Sequence, residues 1–138
     1  MRKRAKGMFE IQNWDEKTIA QLGPGAKLTE AKVTQKFSGD LGGDGTVVWV
    51  MCYVSEKSAR FVGMQRVAGT LGDRTGSFVM ETDGEFDGEM ARWHASVVPG
   101  SGTDGLAGIE GEGRFEAPHG SKATFSFDYS FAESVVSR

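Results

Sequence analysis

The most constraining feature of the chain is a strict two-residue alternation near its C-terminal end. Phe125, Phe127, Tyr129 and Phe131 fall on one side; Thr124, Ser126, Asp128 and Ser130 fall on the other. A period of two belongs to a strand with one buried face and one wet face. The pattern recurs. Ile109, Gly111, Gly113 and Phe115 oppose Glu110, Glu112, Arg114 and Glu116, and Phe61, Gly63, Gln65 and Val67 oppose Arg60, Val62, Met64 and Arg66. Phe78, Met80 and Thr82 oppose Val79, Glu81 and Asp83, and Ala31, Val33, Gln35 and Phe37 oppose Lys32, Thr34 and Lys36. Further strands fit residues 6–13, 46–54 and 90–98.

Turn chemistry separates these segments. It falls at Gly42-Gly43-Asp44-Gly45, Glu56-Lys57-Ser58, Gly72-Asp73-Arg74, Asp83-Gly84 or Asp87-Gly88, and residues 99–105. Only residues 14–25 and 103–107 leave room for a helical turn. The count is about eight antiparallel strands, which fold as a sandwich or a barrel. Closure removes exposed edges, and glycine on the inner face lets strands coil tightly. Gly63, Gly69, Gly111 and Gly113 all fall on the face assigned inward. The expected fold is therefore all-β, an eight-stranded antiparallel closed β-barrel forming a single domain over residues 1–138.

Composition narrows the function classes. A net charge of −3 argues against a polyanion binder, so no nucleic-acid partner is expected. The basic start, Met1-Arg2-Lys3-Arg4-Ala5-Lys6, reads as a solvated end, because Glu10 and Gln12 interrupt the apolar run that a secretory signal needs. No stretch approaches the length of a membrane helix. The chain is expected to be cytoplasmic, with no membrane partner. One Cys excludes an intrachain disulfide, and two His without helical or Cys partners leave no expected metal site. No cofactor is expected either. The glycine clusters lack the lysine and the strand–loop–helix setting of a phosphate cradle.

Certain segments carry a resemblance. They are Phe61-Val62-Gly63-Met64-Gln65-Arg66-Val67, Gly69-Thr70-Leu71-Gly72, Gly76-Ser77-Phe78-Val79 and Val97-Val98-Pro99-Gly100-Ser101-Gly102-Thr103-Asp104-Gly105-Leu106-Ala107-Gly108. Together they resemble a bacterial family of small uncharacterised proteins, domain of unknown function 3224. The Pro-Gly-Ser-Gly-Thr stretch is the most specific part, and the likeness runs over nearly the whole chain. It implies an allene-oxide-cyclase-like barrel. It does not imply cyclase activity, since one barrel hosts many functions.

An eight-stranded barrel is filled by side chains or holds one small ligand. The inward face is mostly apolar, with Gln35, Gln65, Thr82 and Tyr129 as polar groups and Trp93, Phe125 and Phe127 as walls. That composition suits a small, largely apolar ligand oriented by a few hydrogen bonds. These seven residues form the expected ligand site; the alternative is that Gln35 and Gln65 simply satisfy each other. No catalytic residue is evident, because alternation puts Glu81, Glu110, Glu112 and Glu116 outside; only a bulge near Thr82 turns Glu81 inward. Cys52 reads as a buried inert thiol. Rival functions are an isomerase or cyclase acting on a hydrophobic substrate, and a filled barrel serving as an interaction scaffold. The run Val47-Val48-Trp49-Val50-Met51-Cys52-Tyr53 is apolar on both faces and neighbours Val62 and Met64. The outer patch so formed needs a cover, either the C-terminal tail or, preferred here, a second copy in a homodimer.

Overall fold

The computed structural model describes residues 2–118 and 122–132. His119, one of the two histidines, and residues 133–138 of the tail lie outside the described residues. The strands are β1 (Lys3–Gly23), β2 (Ala26–Gly39), β3 (Leu41–Ser55), β4 (Ser58–Leu71), β5 (Arg74–Phe86), β6 (Met90–Val97), β7 (Thr103–Asp104), β8 (Ile109–Pro118) and β9 (Ala123–Phe131). All pairings are antiparallel. The order β4-β3-β2-β1-β9-β8-β6-β5, with β5 returning to β4, makes a ring of eight strands. The two-residue β7 lies beside β5 outside that ring. The fold is all-β and barrel-like, as the alternation implies. At the seam between β1 and β9, Arg4 makes a two-pronged contact with Asp128 at 2.7 and 3.0 Å. The basic start of the chain is thus part of a strand.

Residues 14–25 contain no helical turn. They continue β1 into a long hairpin with β2, closed by Pro24-Gly25. Gly25 has φ of 71°, and proline followed by left-handed glycine is the signature of a type II turn. The helical expectation fails because register shifts fall between Ile11 and Asn13, Thr18 and Ala20, and Gln21 and Gly23. Each bulge resets which side faces in, which erases the period of two from the sequence. Gly42-Gly43-Asp44-Gly45 is not a turn either. It opens β3, and the chain reverses at Asp40 instead. Its glycines serve close packing: a Cβ on Gly43 lies 2.6 Å from the Gly69 Cα, and one on Gly45 lies 2.5 Å from the Phe37 ring. At residues 103–107 the bonds Leu106 N to Thr103 O and Ala107 N to Asp104 O make consecutive turns after β7, without a helix. Of the two turns considered for β5, the one used is at Asp87, whose carboxylate accepts from the Glu89 and Met90 amides.

The inward assignments are those read from alternation. Phe37, Phe61, Phe78, Phe115, Phe125 and Phe127 are all buried, and Phe9, which alternation left unassigned, is buried with them. Each stabilises by about 1.5–3 kcal/mol relative to exposure. Their rings touch. Phe125 lies against Phe37 and Phe115, and Phe127 stacks on Phe78 and Tyr129. The middle of the barrel is thus filled by aromatic side chains. Cys52 is half-buried on the outer side of β3 rather than in the core. Val48, Val50, Val62 and Met64 are exposed on the outer face, where Val48 opposes Met64 and Val50 opposes Val62.

Candidate functional site

Register places the turns of β1–β2, β3–β4 and β5–β6 at one end of the barrel. There β1 outruns its neighbour: it pairs with β9 only from Lys3 to Phe9 but with β2 as far as Gly23. The overhanging hairpin forms one side of a cavity of about 220 Å³. The walls are Ile11 and Trp14 from β1, Trp49, Met51 and Tyr53 from β3, Phe61 from β4, Phe86 from β5, Ala91 and Trp93 from β6, and Ala117 from β8. All three tryptophans of the chain are among them. Trp49 and Trp93 meet edge to face at 4.9 Å, and Trp14 lies 5.9 Å from Trp49. Glycine makes this packing possible, since a Cβ on Gly84 lies 2.7 Å from the Phe61 ring.

A polar layer lies beneath. The Trp49 indole donates to Thr82 Oγ1 at 2.9 Å, and Thr82 donates on to the Gly63 carbonyl. The Trp93 indole reaches Gln65 Oε1 at 3.4 Å, and Gln65 Nε2 donates to Gln35 Oε1 at 2.7 Å. Gln35 Nε2 has no partner among the described residues, although Gln35 is 1% exposed. Of the seven expected ligand residues, only Trp93 lines the cavity. Gln35, Gln65 and Thr82 lie one layer down, and Phe125, Phe127 and Tyr129 lie deeper in the aromatic packing. Glu81 stays exposed on the outer face, because β4 and β5 pair without a shift at Thr82.

A second polar group borders the cavity at Glu16. Thr29 donates to its Oε2 at 2.6 Å and the Trp14 indole to its Oε1 at 2.8 Å, and the Tyr53 hydroxyl faces the same carboxylate. Burial opposes ionisation of Glu16. The hydrogen bonds from Thr29, Trp14 and Tyr53, with the charge of Lys27, outweigh it and hold the carboxyl below its usual range. The Tyr53 phenol is pushed up to about 12 by burial, by its contact with Glu16 and by that carboxylate's charge.

The family described as Protein of unknown function (DUF3224) matches residues 5–129. The chain belongs to DUF3224. A crystal structure of a DUF3224-family protein of unknown function from Shewanella oneidensis MR-1 is similar to it. The two share 24% identity with a TM-score of 0.79, over 96% of this chain and 99% of that one. At this identity the likeness shows the fold. No curated protein matches the chain.

In this DUF3224 protein, sequence reasoning missed Trp14, Glu16 and Tyr53. Trp14 and Glu16 fall where bulges hide the strand, and Tyr53 lies at the end of an apolar run with no visible partner. Their signal was a Trp-x-Glu pair two residues apart, on one side of an extended strand. Among the described residues, no three His, Cys, Asp or Glu side chains stand close enough to hold a metal, and no helix is long and apolar enough to cross a membrane. His94 pairs with Glu112 at 3.3 Å on the exposed face.

Proposed function

We propose that this DUF3224 protein binds a small, largely apolar molecule in the aromatic cavity at the hairpin end of the barrel. One observation carries the reading: an aromatic-walled space of about 220 Å³ remains at that end, while the barrel's middle is filled. The volume lies below the roughly 300–1,000 Å³ of pockets for drug-sized ligands, so the occupant is small or projects through the mouth. Trp93 touches the ligand. Gln65, Gln35 and Thr82 position Trp93 and Trp49, and Phe125, Phe127 and Tyr129 support the wall from below. Binding is favoured over isomerase or cyclase chemistry because the carboxylate beside the cavity, Glu16, is held ionised by its donors and is a weak base. Native mass spectrometry of protein taken from its own cells tests the reading. A retained small molecule, lost in Trp14→Ala, is the expected result; bare protein that also fails to bind apolar probes overturns it.

The same proposal includes a homodimer through the exposed Val48, Val50, Val62 and Met64, which light scattering of wild type and Val62→Glu checks. It includes a cytoplasmic location, open to cell fractionation. It also includes kinship with allene-oxide-cyclase barrels, which the ring of eight strands supports and superposition on such a cyclase tests.

A further inference from the structure

We infer that the occupant of the aromatic cavity is an organic ammonium cation, an inference that rests on the small-molecule reading above and names its ligand class. The argument begins with donors. Six walls are aromatic: Trp14, Trp49, Tyr53, Phe61, Phe86 and Trp93; the others carry no polar side-chain group beyond the Met51 sulfur. The lining side chains own only four hydrogen-bond donors, three indoles and one phenol. The three indoles are committed elsewhere, and the phenol is turned to Glu16. Trp14 donates to Glu16, Trp49 to Thr82 and Trp93 to Gln65, while the Tyr53 hydroxyl faces Glu16. Among the described residues, no lining side-chain donor remains to pair a carboxylate or phosphate. An anion entering this space loses its hydration and gains no side-chain donor from these walls, which disfavours it.

A cation meets the opposite situation. Aromatic rings carry negative faces that attract ammonium groups, most strongly when several rings surround one desolvated cation. Glu16 supplies a full negative charge directly behind two of the walls, Trp14 and Tyr53. The cluster already draws a cation from outside: the Lys27 ammonium, which does not line the cavity, lies 5.2 Å from the Tyr53 ring centroid. Alkyl groups on nitrogen then fill the space between the rings, and the charge needs no hydrogen-bond acceptor inside.

The test uses three probes of one shape: choline, its neutral isostere 3,3-dimethylbutan-1-ol, and 3,3-dimethylbutanoate. Because every tryptophan lines the cavity, intrinsic fluorescence reports binding directly. Choline is expected to bind about tenfold more tightly than the alcohol, and the carboxylate not at all. Glu16→Gln lowers the choline preference. Lys27→Met, which removes a competing cation and replaces no lining residue, raises it and leaves the alcohol unchanged, so the inference stays testable if Glu16→Gln folds poorly. Equal binding of choline and the alcohol, or tighter binding of the carboxylate, overturns the cation inference and leaves the small-molecule reading standing. No binding of any probe, together with bare protein in native mass spectrometry, removes both.

Discussion

Replacing Gln65 by Met strands two buried groups at once. Gln35 Oε1 loses its 2.7 Å donor and the Trp93 indole loses its 3.4 Å acceptor, next to a Gln35 Nε2 already without a partner among the described residues. A newly unpaired buried polar group costs about 1–3 kcal/mol, and the long Trp93 bond belongs at the low end, so Gln65→Met is expected to cost about 2–4 kcal/mol. Gln35→Met works differently. It strands Gln65 Nε2 but removes the orphaned Gln35 Nε2, and the two changes roughly cancel. In the double variant the stranded Trp93 indole takes the place of the removed Gln35 Nε2 orphan, so the net cost falls to about 0–1 kcal/mol. Met is close to Gln in volume, so packing changes stay small. Adding Gln35→Met to Gln65→Met is therefore expected to restore stability. Urea unfolding followed by tryptophan fluorescence reads this, since 2–4 kcal/mol moves the midpoint on the order of 1–2 M at ordinary m-values. A double variant that unfolds at lower urea than Gln65→Met refutes the reasoning.

Gly84→Ala places a methyl 2.5 Å from the Trp93 Cβ and 2.7 Å from the Phe61 ring. Overpacking of that kind is expected to cost about 1–3 kcal/mol and to weaken probe binding, read by thermal unfolding and fluorescence. Stability is expected to fall at both pH extremes through the Glu16–Tyr53 pair. Glu16 has a lowered folded pKa, so its contribution is present above the ordinary carboxylate value and is lost as pH falls through the lowered one. Tyr53 has a folded pKa raised to about 12, so its contribution is intact below about 10 and is lost as pH rises toward 12. Melting curves of wild type and Glu16→Gln check the acid side: their difference should shrink as pH falls, and a constant difference counts against the assignment.

The barrel was legible because its signal is local. Along Phe61, Gly63, Gln65 and Val67, or Phe125, Phe127 and Tyr129, the pleat itself sorts side chains inward and outward, so a period of two is enough. The hairpin from Trp14 to Gly25 was not legible, because three register shifts scramble that period while the backbone remains extended. Gly42-Gly43-Asp44-Gly45 misled for a related reason. Glycine suits both a turn and a crowded strand, and only the position of the Phe37 ring decides between them. The site was half legible: Trp93 and the Gln35–Gln65 contact follow from alternation, whereas Glu16 meets Tyr53 only through the pairing of β1, β2 and β3.

Binding and stability separate at the cavity because its walls come from two parts of the fold. Trp93 is 4% exposed and packs against Phe9, Trp49, Phe61 and Phe115. Removing that ring opens the core, so Trp93→Ala is expected to cost about 3–5 kcal/mol, and any loss of binding there is confounded with unfolding. Trp14 belongs to the overhanging hairpin and is 43% exposed, with Trp49 as its aromatic neighbour. Trp14→Ala therefore removes a wall that the core does not lean on, at a cost of about 1 kcal/mol or less. If the overhang exists in order to complete the site, this variant keeps its urea midpoint to within about 0.5 M and loses about tenfold in affinity for the cationic probe. A Trp14→Ala protein that binds as wild type would show that the hairpin's extra length serves something other than this cavity.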